Sequence, residues 1–258
     1  MSGWQLGDRT VNRLGFGTMR LKPETGVEVL RRAVELGVDH FDTAAFYGPA
    51  NELLRAALAP YAPELVIATK VGPGVHPERG FYQAMTAAEL RTQVEENLRG
   101  LGVDVLDVVN LRVGNADSLA ERFGVLAELQ KAGLIRQLGV SNVTTEQLEE
   151  ARAIAPVVCV QNWYSVDRRD DDSLIDLCAS YGIAYVPFAS IADGVATEAA
   201  QAVAAAHGIS AQQLRLAWTL HRSPNILAIP GTSKVAHLEQ NVAAGAVQLT
   251  PAEVKSLE

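Results

Sequence analysis

"VDHFDTAAFYGPANELLRAALAPYAPELVIATK", residues 38–70, decides how the chain folds. Two short apolar runs, one ending at Asp42 and the other at Lys70, flank the amphipathic stretch "NELLRAALAPY". Apolar runs of that length separated by a helix read as parallel strands buried on both faces. Each run, however, ends on a charge. A core strand has little use for the carboxylate of Asp42, and a surface loop has little use for Phe41, Ala44, Ala45 and Phe46.

The same rhythm runs through the whole chain. "LGFGTM" (14–19) leads to "ETGVEVLRRAVELG" (24–37), where Val27, Leu30, Val34 and Val38 recur near helical spacing and mark the expected buried face. "AAELRTQVEENLRGL" (87–101) follows Thr86, which stands in capping-box spacing with Glu89, and it carries Leu90, Val94, Leu98 and Leu101 on one face. "VDVLDVVNLRV" (103–113), "IRQLGVSN" (135–142), "VVCVQNW" (157–163), "IAYVPFAS" (183–190) and "NILAIPG" (225–231) supply further strands, each followed by a helical pattern. Eight such units in 258 residues predict an α/β fold, a (β/α)8 TIM barrel, as one domain over residues 1–258. The competing arrangement is an open doubly wound sheet. "GFGTMR" (15–20) begins like a dinucleotide-binding turn, but Arg20 stands where the third glycine belongs. Eight regular units favour closure. "WQLGDRTVNRL" (4–14), turning at Gly7-Asp8, predicts a short β-hairpin that plugs the barrel's bottom.

A formal net charge of −8 without clustered Lys and Arg argues against nucleic acid as a partner. No apolar stretch reaches the ~20 residues that a membrane span needs. No charged segment followed by an apolar one opens the chain, so the expectation is a cytoplasmic protein without a signal peptide. Cys159 and Cys178 sit in apolar patterns with no CxxC or histidine neighbour, and read as reduced core thiols rather than a bridge or metal ligands.

In a barrel, chemistry gathers where strands end and the following loops begin. Asp42 and Tyr47 stand after the second strand, Lys70 ends the third, and Asn110 and Arg112 end the fourth. Ser141 and Asn142 follow the fifth, Gln161 and Asn162 the sixth, Phe188 the seventh, and Pro230, Gly231, Thr232 and Ser233 the eighth. A tyrosine, with an unperturbed pKa of about 10, holds its proton near neutrality and gives it up reluctantly. A nearby ammonium lowers that pKa, and a carboxylate keeps the ammonium charged and oriented. Asp42, Tyr47 and Lys70 supply these parts, and a tyrosine so tuned is a general acid for a carbonyl oxygen as hydride reaches its carbon. The three residues alone are equally compatible with a buried Asp–Lys pair beside a packed tyrosine.

Five segments, in order, resemble the aldo-keto reductase family along nearly the whole chain: "HFDTAAFYG" (40–48), "VIATK" (66–70), "IRQLGVSN", "VVCVQNWYS" (157–165) and "AIPGTSKVAHLEQN" (228–241). The resemblance implies a (β/α)8 barrel that binds NAD(P)H without a Rossmann domain. It implies that Tyr47 is the proton donor tuned by Lys70 and Asp42, and that Ser141, Asn142 and Gln161 hold the nicotinamide carboxamide. Gly17 and Thr18 fall among its cofactor positions, and Phe188 falls where the family stacks an aromatic ring on the nicotinamide, a core phenylalanine being the alternative. Gly231, Thr232, Ser233, Lys234, His237 and Asn241 cover the segment that holds the adenosine phosphate, although Lys234 and His237 also suit an exposed helix face. The implied cofactor is NADPH, with NADH an alternative because many members carry Arg where His237 stands. The implied partner is a small-molecule carbonyl substrate, and the implied assembly a monomer or weak homo-oligomer.

The chain departs from the family at Arg112, where a histidine is usual. An arginine can polarise a carbonyl, but with a pKa above 12 it cannot shuttle a proton. It can also favour the Tyr47 phenolate, bind an anionic group on the substrate, or turn aside to pair with Asp107. "NLRV" (110–113) and "IPGTSKVAHL" (229–238) resemble a bacterial subgroup containing pyridoxal reductases, which points to pyridoxal or another aromatic aldehyde. The alternative is an NADPH-binding regulatory or sensor protein with little turnover. "VGPGVHPERGFYQAM" (71–85) reads as a Gly/Pro-rich loop offering His76, Arg79, Phe81 and Tyr82 as lid residues. "SIADGVATEAA" (190–200) is short where many members fold a longer segment over the cofactor, so fast cofactor exchange is expected. "TPAEVKSLE" (250–258) predicts a helix capped by Thr250 with no long loop after it, hence an open and permissive pocket.

Overall fold

The computed structural model describes residues 3–76, 78, 80–114, 118–190 and 197–257. After the hairpin β1 (Trp4–Leu6) and β2 (Arg9–Val11) come β3 (Phe16–Gly17), α1 (Gly26–Glu35), β4 (His40–Asp42), α2 (Ala50–Leu58) and β5 (Val66–Val71). A second hairpin, β6 (Pro73–His76) and β7 (Gly80–Gln83), precedes α3 (Ala87–Leu101), β8 (Leu106–Arg112), α4 (Ala120–Lys131), β9 (Ile135–Ser141), α5 (Thr145–Arg152) and β10 (Val157–Gln161). The chain continues through α6 (Asp172–Ser180), β11 (Ala184–Tyr185), α7 (Glu198–His207), α8 (Ala211–Arg222), α9 (Val235–Ala244) and α10 (Pro251–Ser256).

Seven strands, β3, β4, β5, β8, β9, β10 and β11, pair in parallel and in chain order. Residues 226–228 make the eighth through isolated bridges, Ile226 to Tyr185 on one side and Ala228 to Leu14 on the other. Leu227 N donates to Tyr185 O at 2.9 Å, Ala228 N to Arg13 O at 2.9 Å, and Gly15 N to Ala228 O at 2.8 Å. The sheet therefore closes, and the barrel expected from the eight units is the fold. Glycine makes the seam possible. A Cβ on Gly17 would lie 2.6 Å from Ile229 O, and one on Gly231 would lie 2.4 Å from Gly17 O. Gly17→Ala is expected to force the first and last strands apart and cost about 1–3 kcal/mol, read as a lower midpoint in denaturant.

The period of two along each strand sorts the side chains. On β5, Ile67 and Val71 join the main core beneath the helices, while Val66 and Ala68 belong to the cluster inside the barrel. Lys70 occupies the next inward position. On β8, Val109 and Leu111 face the helices and Val108 faces the interior, followed on that side by Asn110 and Arg112. Val66, Val108, Cys159, Ala184 and Leu227 fill the interior, and Leu6 and Val11 of the β1–β2 hairpin pack with them. The hairpin turns at Gly7-Asp8 as expected and pairs Trp4 with Val11. An apolar, plugged bottom leaves the polar strand ends at the open top. Cys159 and Cys178 are free and buried, and burial pushes both thiols up to about 12.

Two local expectations differ from the structure. Helix α1 buries Gly26, Val29, Leu30 and Ala33, whereas Val34 is exposed. The small residues Gly26 and Ala33 let α1 approach α2, and a Cβ on Gly26 would meet Leu53 at 2.8 Å. Close packing thus outweighs the bulkier stripe through Val27 and Val34. The Gly/Pro-rich loop after Lys70 is the β6–β7 hairpin, with Val75 opposite Phe81 and Gly74 opposite Tyr82. Phe81 is exposed, and Tyr82 accepts a hydrogen bond from Gln93 Nε2 at 3.3 Å. Arg79 lies outside the described residues, as does most of the 190–200 segment, and His76 is described by its backbone alone. Among the described residues no helix is long and apolar enough to cross a membrane.

Candidate active site

Two adjacent strands deliver the charges. Lys70 Nζ donates to Asp42 Oδ2 at 2.6 Å, to Asp42 Oδ1 at 2.7 Å and to the Thr43 carbonyl at 3.1 Å, all in a fully buried setting. Burial works to neutralise the ammonium, but Asp42 and Tyr47 outweigh it and hold the Lys70 pKa above its ordinary value. Lys70 is a permanent cation at neutral pH. It lies 4.8 Å from the centroid of the half-buried Tyr47 ring, and that ring meets Phe46 edge-on at 4.9 Å. Asp42 Oδ1 accepts a further hydrogen bond from Gln161 Nε2 at 2.7 Å.

Buried amides lock these two strand ends to the helices. Thr43 Oγ1 donates to Asn51 Oδ1 at 2.8 Å on α2, and Asn51 Nδ2 donates to Asn97 Oδ1 at 3.0 Å on α3. Thr69 Oγ1, next to Lys70, donates to the same Asn97 Oδ1 at 2.6 Å. Asn97 was absent from the residues singled out by sequence. Its signal is there nonetheless, an amide within the apolar face of Val94, Leu98 and Leu101.

Asp42 and Tyr47 border a cavity of 390 Å³ whose walls also include Gly17, Arg112, Gln161, Phe188 and Gly231. Met19, Phe46, Pro73, Phe81 and Ile229 make the rest largely apolar. A second cavity, of 360 Å³, is lined by Thr232, Ser233, Lys234, His237 and Asn241 together with Gln212 and Gln240. The two share Arg20 and Gly231 and so lie side by side over the strand ends. Arg20, which reads in sequence as the residue spoiling a glycine turn, stands on their common wall. Lys234 and His237 are exposed at the start of α9, whose first N–H groups suit a phosphate.

Thr18, Ser141 and Asn142 are set back from these walls. Thr18 Oγ1 donates to the Asp42 carbonyl at 3.0 Å, tying the ends of β3 and β4 together. Asn142 takes a left-handed φ of 59°, which asparagine tolerates, and its Nδ2 donates to the Val113 carbonyl at 2.8 Å. Ser141 Oγ and Gln161 Oε1 are buried and have no hydrogen-bond partner among the described residues. Buried polar atoms are rarely left so. A hydroxyl that can donate beside an amide oxygen that can accept fits the two ends of a carboxamide, and these residues would hold a nicotinamide there.

Arg112 does not turn aside to Asp107. That carboxylate lies within ion-pair distance of Arg9 at 3.8 Å and Arg136 at 3.7 Å, and accepts from Ile67 N at 3.0 Å, at the start of β8. The Arg112 guanidinium instead sits 4.8 Å from the Phe188 ring centroid, and no described carboxylate forms an ion pair with it.

Comparison with known proteins agrees with this geometry. The Aldo/keto reductase family matches residues 13–258. Pyridoxine 4-dehydrogenase of Escherichia coli (strain K12) is 45% identical over 274 residues, covering 98% of this chain and 96% of that protein. A thermostable aldo-keto reductase, Tm1743, solved with the inhibitor epalrestat, superposes with a TM-score of 0.86 at 30% identity, over 100% of this chain and 98% of its own. An aldo/keto reductase from Klebsiella pneumoniae, solved with NADP and acetate, gives 0.85 at 27% identity over 99% and 94%. With a tyrosine, a lysine and an aspartate gathered at the open end of a closed barrel, and a match over nearly its full length, the chain belongs to the aldo/keto reductase family of NAD(P)-dependent oxidoreductases.

Proposed function

We propose that this protein reduces aldehydes to alcohols with NADPH, acting on pyridoxal or a similar aromatic aldehyde, with Tyr47 as the proton donor. The observation that carries the reading is the buried ammonium of Lys70, fixed by both oxygens of Asp42 and standing beside the Tyr47 ring in a largely apolar cavity. Bound NADPH supplies the hydride and is oxidised as the aldehyde is reduced. As the carbonyl carbon gains that hydride, its π pair moves to oxygen, and the Tyr47 hydroxyl delivers its proton there. Lys70 then faces a phenolate, whose charge it balances until solvent restores the proton. Gln161 has a double part: its Nε2 steadies Asp42, and its Oε1 is free to accept from a carboxamide. Phe46, Phe81 and Phe188 give the cavity flat apolar walls suited to an aromatic ring.

The E. coli relative is named for the reverse direction, oxidation of pyridoxine at position 4. The same residues serve both, since Tyr47 as phenolate accepts the proton that it donates in reduction. The direct test follows NADPH absorbance with pyridoxal and with plain aromatic aldehydes. Consumption matched by alcohol formed is expected. Binding of NADPH without its consumption by any aldehyde would overturn the reading and leave a cofactor sensor.

Lys234 and Arg20 supply positive charge along the second cavity, which supports NADPH over NADH. Lys234→Ala is expected to weaken NADPH by about 10-fold, the scale of one charge-assisted hydrogen bond. NADH affinity should stay near its native value, with both read by fluorescence titration.

A further inference from the structure

We infer that Arg112 sets the substrate class of this site by binding an ionised oxygen carried on the ring carbon ortho to the aldehyde. The inference rests on the carbonyl-reductase reading and narrows it. Arg112 stands at the last inward position of β8, in register with Ser141, and lines the same cavity as Tyr47. It is half-buried, touches the Phe188 ring, and forms no ion pair with any described carboxylate. Asp42, the one carboxylate among the described residues on that cavity's wall, is taken up by Lys70 and Gln161. A partly desolvated guanidinium facing apolar walls is stabilised by an anion, and the ligand must bring it.

The fork of Arg112 sets the position of that anion. Arg112 and Tyr47 border one cavity, and a group that shares the guanidinium with the carbonyl oxygen lies next to that oxygen. On an aromatic ring the ortho oxygen is such a group. The oxygens of an ortho-hydroxy aldehyde are coplanar and neighbouring, which matches two N–H groups of a planar fork. The charge also matters to the chemistry. An ionised ortho oxygen donates electrons through the ring into the carbonyl and makes its carbon a poor hydride acceptor. A guanidinium on that oxygen withdraws the donation, which a neutral imidazole would do less well. Pyridoxine carries a ring hydroxyl next to its position-4 carbon, the carbon named in the E. coli relative's activity.

The test compares salicylaldehyde with 4-hydroxybenzaldehyde, 2-methoxybenzaldehyde and benzaldehyde under NADPH, in the native protein and in Arg112→Leu and Arg112→Lys. The native enzyme is expected to favour salicylaldehyde over the para and methoxy compounds by about 10- to 100-fold in kcat/KM, the scale of a hydrogen bond to a charged group. That preference should grow as the ortho hydroxyl ionises. It should collapse in Arg112→Leu and survive in part in Arg112→Lys. Equal rates for the ortho and para isomers, or a preference unchanged in Arg112→Leu, would overturn the assignment while benzaldehyde turnover still upheld the reductase. Should no aldehyde be turned over, titration of the NADP-loaded protein with salicylaldehyde and its para isomer decides the point. An ortho preference that depends on Arg112 sustains the inference, and equal affinities overturn it.

Discussion

Tyr47→Phe is expected to lower kcat for aldehyde reduction by about 10²–10⁴-fold, the range for losing a positioned general acid. NADPH affinity should remain close to native. The substitution removes one oxygen and little else. The phenyl ring keeps its edge-on contact with Phe46 and its place beside Lys70. The Asp42–Lys70–Gln161 hydrogen bonds do not pass through the tyrosine hydroxyl. Cofactor titration and single-turnover kinetics on the same preparation check both halves. A variant that still reduces benzaldehyde at the native rate would remove Tyr47 from the chemistry. The pH profile carries a second expectation. Lys70 has its pKa raised, so its charge is constant below its ordinary value and it adds no limb of its own at neutral pH.

The barrel was legible because eight apolar runs alternate with helical patterns, and the gathering of Asp42, Lys70, Arg112, Ser141 and Gln161 at one end because each stands where a strand ends. Once a strand is recognised and its apolar inward positions are counted, the next inward residue is fixed, and on β5 the sequence from Val66 to Lys70 does this without tertiary information. The Thr86–Glu89 capping box was legible for the same local reason. What sequence did not reveal depends on neighbours distant along the chain. The bond from Gln161 to Asp42 spans 119 residues, and no spacing rule joins them. The buried face of α1 turned on the fit of Gly26 to Leu53, which hydrophobicity alone ranks below Val27 and Val34. The β6–β7 hairpin was hidden because its glycines and prolines mimic a loop. Gly17 and Gly231 read as cofactor positions, yet the closure of the barrel already requires both to lack a side chain.

Asp42→Asn should be the most destabilising single substitution in the site, by about 3–5 kcal/mol at neutral pH, because it leaves a buried ammonium without its counter-charge. For a chain of this size that corresponds to a fall in Tm of roughly 6–20 °C. The dependence on pH should change sign. In the native protein the folded pKa of Lys70 is raised, so its stabilisation is complete below the unfolded value and is lost as pH rises through the folded one. Without Asp42, burial is the dominant influence and depresses the folded pKa. The unfolded chain then binds more protons between the two values, and stability rises with pH across that window. The gap between native and variant should therefore narrow towards about pH 10, as measured by urea denaturation at successive pH values. Asp42→Asn combined with Lys70→Met removes both charges and should recover most of the lost stability. It should not recover activity, since the charge left on Tyr47 after proton donation would then lack its counter-ion beside the ring. A double variant less stable than Asp42→Asn alone would overturn the stabilising role of the ion pair, and one that still reduces aldehydes would overturn its role in the chemistry.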